Sequence, residues 1–130
     1  MNPARYKFFT YQFPVILWAL IILTVSSVPQ FMAVQPHWSK YDKIVHFIEY
    51  GVFGFLLTRA LYFQNNISVK KYSIVLAIVI GILFAGIDEI HQRYIPGRLE
   101  SFGDFISDIL GITAAQVFFI RKSFRHKDSL

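Results

Sequence analysis

The chain contains no cysteine. Disulfides, thiolate zinc sites, iron–sulfur clusters and cysteine nucleophiles are therefore excluded. Charge is also scarce: 16% of the 130 residues are Asp, Glu, Lys or Arg, where a soluble domain carries roughly a quarter. H-E-x-x-H, G-x-S-x-G and Walker patterns are missing, so zincin, α/β-hydrolase and P-loop chemistry have no support. There is no internal repeat and no low-complexity tract. No polar segment is long enough for a sizeable domain outside a membrane.

What is present is apolar. Hydrophobic residues make up 55% of the chain, and mean hydropathy is +0.46. This excludes intrinsic disorder, which needs low hydrophobicity and high charge. The apolar residues fall in four blocks, about 13–34, 44–63, 72–90 and 102–120. Each approaches the roughly 20 residues that cross a hydrocarbon core of about 30 Å as a helix. The expected fold is an all-α integral membrane bundle of four transmembrane helices in a single domain, with short connections between antiparallel neighbours. Arg5 and Lys7 ahead of the first block, with Ser26 and Ser27 near its end, outline a signal peptide. The length of the block and Pro29 beyond it favour a retained span, which Pro29 ends or kinks.

The net charge is +5 and the pI about 9.6. The basic residues flank the apolar blocks, which fits orientation in a bilayer rather than binding of nucleic acid. Arg5, Lys7, Arg59, Lys70, Lys71, Arg121, Lys122, Arg125 and Lys127 share one side, and Lys40, Lys43, Arg93 and Arg98 the other. The positive-inside rule then puts both termini and the second loop in the cytoplasm. The segment Arg121–Lys127 reads as an anchor on anionic inner-leaflet lipid. Tyr6, Tyr11, Trp38, Tyr41, Tyr62, Tyr72 and Tyr94 lie near block ends, as an interfacial aromatic belt does.

Ionisable groups within a span are costly and mark function by default. Here they collect at one level. Asp42, Lys43, His46 and Glu49 open the second helix. Asp88, Glu89, His91 and Gln92 close the third. Arg98, Glu100, Asp104 and Asp108 lead into the fourth. All lie within about two turns of the outward helix ends, so three helices are expected to deliver them to one outward layer. Spacings of three, four and seven residues share a helix face. Asp42/His46/Glu49, Asp88/His91/Gln92 and Asp104/Asp108/Gly111 each meet that rule.

Structural roles compete for several of these residues. Asp42 can cap the second helix, and Ser101 with Asp104 fits a capping box for the fourth. Pro96-Gly97 reads as the turn before it. Glu89 and Glu100 can be solvated loop-end charges. Asp108, His46 and Glu49 lie too deep for capping, which leaves an interhelical network or a ligand site. Gly51, Gly54, Gly81, Gly86, Gly111, Ala114 and Ala115 are expected to permit close helix approach.

Asp42-Lys43-x-x-His46-Phe47-x-Glu49-Tyr50, Asp88-Glu89-x-His91-Gln92, Pro96-x-Arg98 and Ser101-x-x-Asp104-x-x-x-Asp108-x-x-Gly111 occur in this order on hydrophobic segments. With Ser26-Ser27-x-Pro29 ahead of them, they resemble the VanZ-like family of small membrane proteins over roughly residues 14–115. That resemblance implies a bacterial inner-membrane protein connected with the cell envelope and with tolerance of the glycopeptide teicoplanin. It supplies no reaction. Unlike larger members, the chain is expected to carry no accessory domain, and Ala114 and Ala115 stand where a second glycine is common.

Two functions are weighed foremost. The first is binding of an outer-leaflet lipid or wall-precursor phosphate, or of the antibiotic itself. Arg98 would supply a bidentate fork, with Lys43 beside it, and Asp42, His46, Glu49, Asp88, Glu89, His91, Gln92, Asp104 and Asp108 would line the pocket. The alternative is a hydrolase acting on a lipid headgroup. His46, Glu49, Asp88, His91, Asp104 and Asp108 would be the candidate ligands of a divalent metal that activates water. His46, Glu49, Asp88, His91 and Asp108 are the candidates for acid–base work. Transport is a third class, but the charged layer does not cross the bilayer.

Overall fold

The computed structural model describes residues 2–29, 38–98 and 101–127. The side chains of 38–40 and 123–127 are outside that description. The elements are α1 (Pro3–Lys7), a π-helical turn (Phe8–Gln12), α2 (Phe13–Ser26), α3 (Trp38–Tyr62), α4 (Ile67–Lys71), α5 (Ser73–Gln92) and α6 (Phe102–Lys127). Among the described residues there is no strand. Four helical stretches are long and apolar enough to cross a membrane: Pro3–Ser26, Tyr41–Tyr62, Ser73–Gln92 and Phe102–Lys122. The protein is thus an all-helical, multi-pass membrane protein.

The first rod departs most from the sequence expectation. Helix begins at Pro3 rather than near 13, because Asn2 Oδ1 caps Ala4 N at 3.0 Å and Pro3 occupies the first turn, where its missing N–H costs nothing. Pro14 falls inside the rod. Lacking an N–H for the carbonyl four residues back, it follows a turn that has widened to π geometry. Helix stops at Ser26, short of the expected 34, three residues before Pro29. Residues 30–34 of the expected span lie outside the described residues.

The other spans lie closer to expectation. α3 starts at Trp38, before the expected 44, because its polar first turns have a partner on α6: Lys43 Nζ meets Asp104 Oδ1 at 3.0 Å. Asp42 therefore lies within α3 and does not cap it. α6 continues past 120 through the basic tail. The short α4 was not expected. Asn66 Oδ1 caps it, accepting from Ser68 N at 2.9 Å and Val69 N at 3.1 Å. Ile95 O and Arg98 N close the turn at Pro96-Gly97 at 3.1 Å. Gly97 takes φ 78° there, which glycine adopts without strain.

The helices run up and down. Lys7 Nζ reaches Asn65 Oδ1 at 2.5 Å, and Tyr11 stacks on Phe63 with Arg59 over its ring. The start of the first rod is thereby tied to the end of α3. At the other end, Ser26 meets Asp88 at the close of α5. One end of the bundle is basic and the other carries the acids and imidazoles.

The core lies between α2, α3, α5 and α6, around Ile22, Tyr50, Phe53, Ala77, Ala85 and Ile112, each at most 3% exposed. α3 packs most extensively on α6. A Cβ at Gly111 would overlap the Phe47 carbonyl oxygen and sit 2.9 Å from Gly51 N. At Gly54 it would lie 3.0 Å from Ile112 Cα. Small residues set this approach, as they do where lipid offers no hydrophobic drive between helices. Outward-facing Leu17, Leu20, Ile48, Val75, Leu83, Ile87 and Leu110 remain exposed, as lipid-facing residues do.

Candidate polar site at one end of the bundle

Backbone position dictates which side chains meet. Asp108 lies six residues into α6, about 9 Å from its start, and Asp88 lies four residues, about 6 Å, before the end of α5. Both are fully buried, at 0% and 1% exposure. His46 comes from the same level of α3. The three helices deliver these groups to one layer, and α2 joins them. Four elements therefore build it, one more than the three helices expected from the sequence.

The layer has two halves. In the first, His46 Nδ1 lies 3.0 Å from Asp108 Oδ1. A ligand atom of Glu89 falls within 4.8 Å of ligand atoms of both. Asp42, His46 and Asp104 form a second such group on the rim. Glu89 is 9% exposed, not a solvated loop-end charge. Its Oε2 accepts from Ser101 N at 3.1 Å. The expected Ser101/Asp104 capping box is thereby replaced: a carboxylate from α5 takes the Ser101 N–H, and Asp104 turns to Lys43. An ion pair between helices outcompetes a local cap here. Glu100 lies outside the described residues.

In the second half, Asp88 Oδ2 accepts from Ser26 Oγ at 2.9 Å, Tyr50 Oη at 3.1 Å and Gln92 Nε2 at 3.1 Å. Ser27 Oγ lies 2.9 Å from His91 Nε2. The His46 and Tyr50 rings are parallel at 6.5 Å, linking the halves. Glu49 is half-buried, within electrostatic reach of His46, Asp88, Asp108 and Arg98. Arg98 Nη2 donates to Val25 O at 3.2 Å, which ties the turn before α6 to the end of α2.

Several buried atoms have no partner among the described residues: Asp88 Oδ1, Glu89 Oε1, Asp108 Oδ2 and Arg98 Nε. A buried polar group without a partner costs roughly 1–3 kcal/mol. That four such atoms share one layer is its most informative property. Glu89 also lines, with Gly86, Ser101, Phe102 and Phe105, a cavity of ≈ 380 Å³ between α5 and α6.

The expected site residues are thus unequally placed. His46, Glu89 and Asp108 form one tight group; Asp42, Lys43 and Asp104 sit on the rim beside it. Asp88 and Gln92 bond to each other and to Ser26, while His91 pairs with Ser27 apart from both groups. Sequence reasoning missed Ser26, Ser27 and Tyr50 as members of the layer. They stood inside the quoted motifs, and their hydroxyls were the available signal. It also missed Trp18, whose Nε1 donates to Glu49 O at 2.9 Å, and which carries no local pattern.

Chemically, the layer offers oxygen and imidazole ligands, one imidazole–carboxylate pair and two cations at its edge. No curated protein and no solved structure matches the chain. The family model described as VanZ/LLP1 matches residues 5–125, nearly the whole chain. With the same motifs converging at one end of a four-span bundle, the chain belongs to the VanZ/LLP1 family.

Proposed function

We propose that the chain is a bacterial inner-membrane protein that binds an anionic envelope group, a lipid or wall-precursor phosphate, in an outward-facing polar pocket. The observation that carries this reading is convergence. Polar side chains from all four spans meet at one end of the bundle, and two cations, Lys43 and Arg98, stand at its edge. Arg98 is half-exposed and uses Nη2 on Val25 O, so part of its fork is available to a phosphate. Lys43, with 46% of its side chain exposed, is held by Asp104 and needs only a small shift to share itself with an anion. The charge bias of the loops supports both termini being cytoplasmic, which turns the pocket outward. The family resemblance extends the reading to tolerance of glycopeptides such as teicoplanin.

A second reading is favoured by His46 and Asp108. A carboxylate 3.0 Å from one imidazole nitrogen orients the ring, as acid–base catalysis requires. On that reading the pocket hydrolyses a lipid headgroup.

The test uses purified protein in vesicles of neutral lipid, titrated with undecaprenyl phosphate. Saturable binding that Arg98→Ala weakens at least about tenfold, as loss of a charged bidentate contact should, supports the proposal. Arg98→Ala protein that inserts normally and binds unchanged overturns it. Phosphate release from the bound lipid, lost in His46→Gln, would establish the second reading.

A further inference from the structure

Among the described residues, the bare oxygens of the layer are all on acids, Asp88, Glu89 and Asp108. Among the described residues, Asp42, Glu49, Asp88, Glu89, Asp104 and Asp108 gather at this end of the bundle, and Asp104 is the one ion-paired with Lys43. An interior carboxylate with no partner is unfavourable unless a proton or a cation compensates it. In one place the geometry favours a cation. Asp108 Oδ2 and Glu89 Oε1 are both buried and unpartnered. Asp108 is 0% and Glu89 9% exposed. His46, Glu89 and Asp108 bring ligand atoms within 4.8 Å of one another. The spacing is compatible with three ligands arranged around one ion, given metal–ligand distances of about 2.0–2.6 Å.

We infer that His46, Glu89 and Asp108 form a binding site for one divalent transition-metal cation. The donor set selects its class. An imidazole ligand disfavours Mg²⁺ and Ca²⁺, whereas one nitrogen with two carboxylates suits Zn²⁺ or Mn²⁺. Ser101 N holds Glu89 Oε2 and leaves the other oxygen of that carboxylate for the ion. Of the three residues, Glu89 lies on the wall of the cavity between α5 and α6. Three protein ligands leave coordination positions open, as a site that also takes an exogenous oxygen ligand does. The competing group, Asp42–His46–Asp104, is less suited: Asp42 is exposed, and Asp104 Oδ1 is already on Lys43. This inference goes beyond the anion-binding reading and does not require it, since the ion binds the protein directly.

The experiment takes full-length protein in detergent, stripped with a chelator, and titrates it with Zn²⁺ and Mn²⁺ in phosphate-free buffer without added lipid. One ion per chain is expected. Pulsed electron paramagnetic resonance of the Mn²⁺ form should show coupling to a single imidazole nitrogen, lost in His46→Gln. Glu89→Gln should weaken binding at least about tenfold, and Asp42→Asn by less than about twofold. Asp108→Asn can disturb folding through His46, so Glu89→Gln, checked for a native elution profile, is the deciding variant. The absence of saturable binding overturns the site. So does a signal without nitrogen coupling, or a larger loss in Asp42→Asn than in Glu89→Gln. Because no anion is present, this outcome is separate from that of the undecaprenyl phosphate titration.

Discussion

Among the described residues, two buried polar layers in the bundle are built differently. Deeper toward the basic end, Thr58 Oγ1 lies 2.8 Å from Gly54 O and 2.7 Å from Gln116 Oε1. Gln116 Nε2 donates to Ile112 O at 3.1 Å. Both residues are at most 4% exposed, both are neutral, and neither has an unpartnered side-chain atom. The layer at the polar end is charged and holds four such atoms. A neutral layer with its bonds made is interhelical glue. A charged layer with open valences has a capacity that the chain does not itself fill. Satisfaction of hydrogen bonds, more than polarity, separates the two.

Gly111 stands between the layers, and its replacement should have the largest effect on both. In Gly111→Leu the new Cβ meets the Phe47 carbonyl oxygen, a backbone atom that cannot move without shifting α3. We expect a loss of about 3 kcal/mol or more, read as failure to refold from sodium dodecyl sulfate into detergent micelles. A Gly111→Leu protein as stable as wild type would mean that α3 and α6 do not approach as described. Asp88→Ala comes next. It strands Ser26, Tyr50 and Gln92, which all bond to one carboxylate oxygen, and should cost roughly 2 kcal/mol in the same assay. A negligible cost would remove α2 from the layer.

The sharpest contrast is one of sign. Gln116→Leu breaks a satisfied pair and should destabilise the chain by about 1 kcal/mol, the scale of interhelical hydrogen bonds in membranes. Glu89→Gln retains an acceptor for Ser101 N but removes a buried charge. In cation-free protein it should therefore stabilise, by up to about 1 kcal/mol. Reversible unfolding in mixed micelles measures both. If both variants destabilise equally, the two layers are of one kind and the distinction fails.

Much of this was legible in the sequence. The number of spans follows from the length of apolar blocks, and the level of the acids follows from their distance to helix ends. Helical spacing placed His46, Asp88, Asp104 and Asp108 on inward faces. What spacing does not carry is choice of partner. Glu89 and Asp88 are adjacent, so they diverge around α5: Asp88 turns to Ser26 and Tyr50, Glu89 to Ser101 and the His46–Asp108 pair. Whether Glu89 is a solvated end or a buried ligand depends on where the turn before α6 folds, which is long-range information. The capping box failed for the same reason, since Lys43 on another helix competes for Asp104. The first span was misplaced because Pro14 and the polar residues before it look like a boundary. The backbone passes them by widening to a π turn instead of ending.

Binding of an outer envelope group requires the acid layer to open to the outside of the membrane. Because the chain has no native cysteine, single-cysteine variants report orientation without background. Tyr94, 76% exposed beyond α5, and the exposed Lys71 at the basic end are suitable positions. In intact spheroplasts an impermeant maleimide should label Tyr94→Cys, and should label Lys71→Cys only after lysis. Labelling of Lys71→Cys in intact spheroplasts, with Tyr94→Cys protected until lysis, would turn the acid layer to the cytoplasm and contradict binding of an outer envelope group.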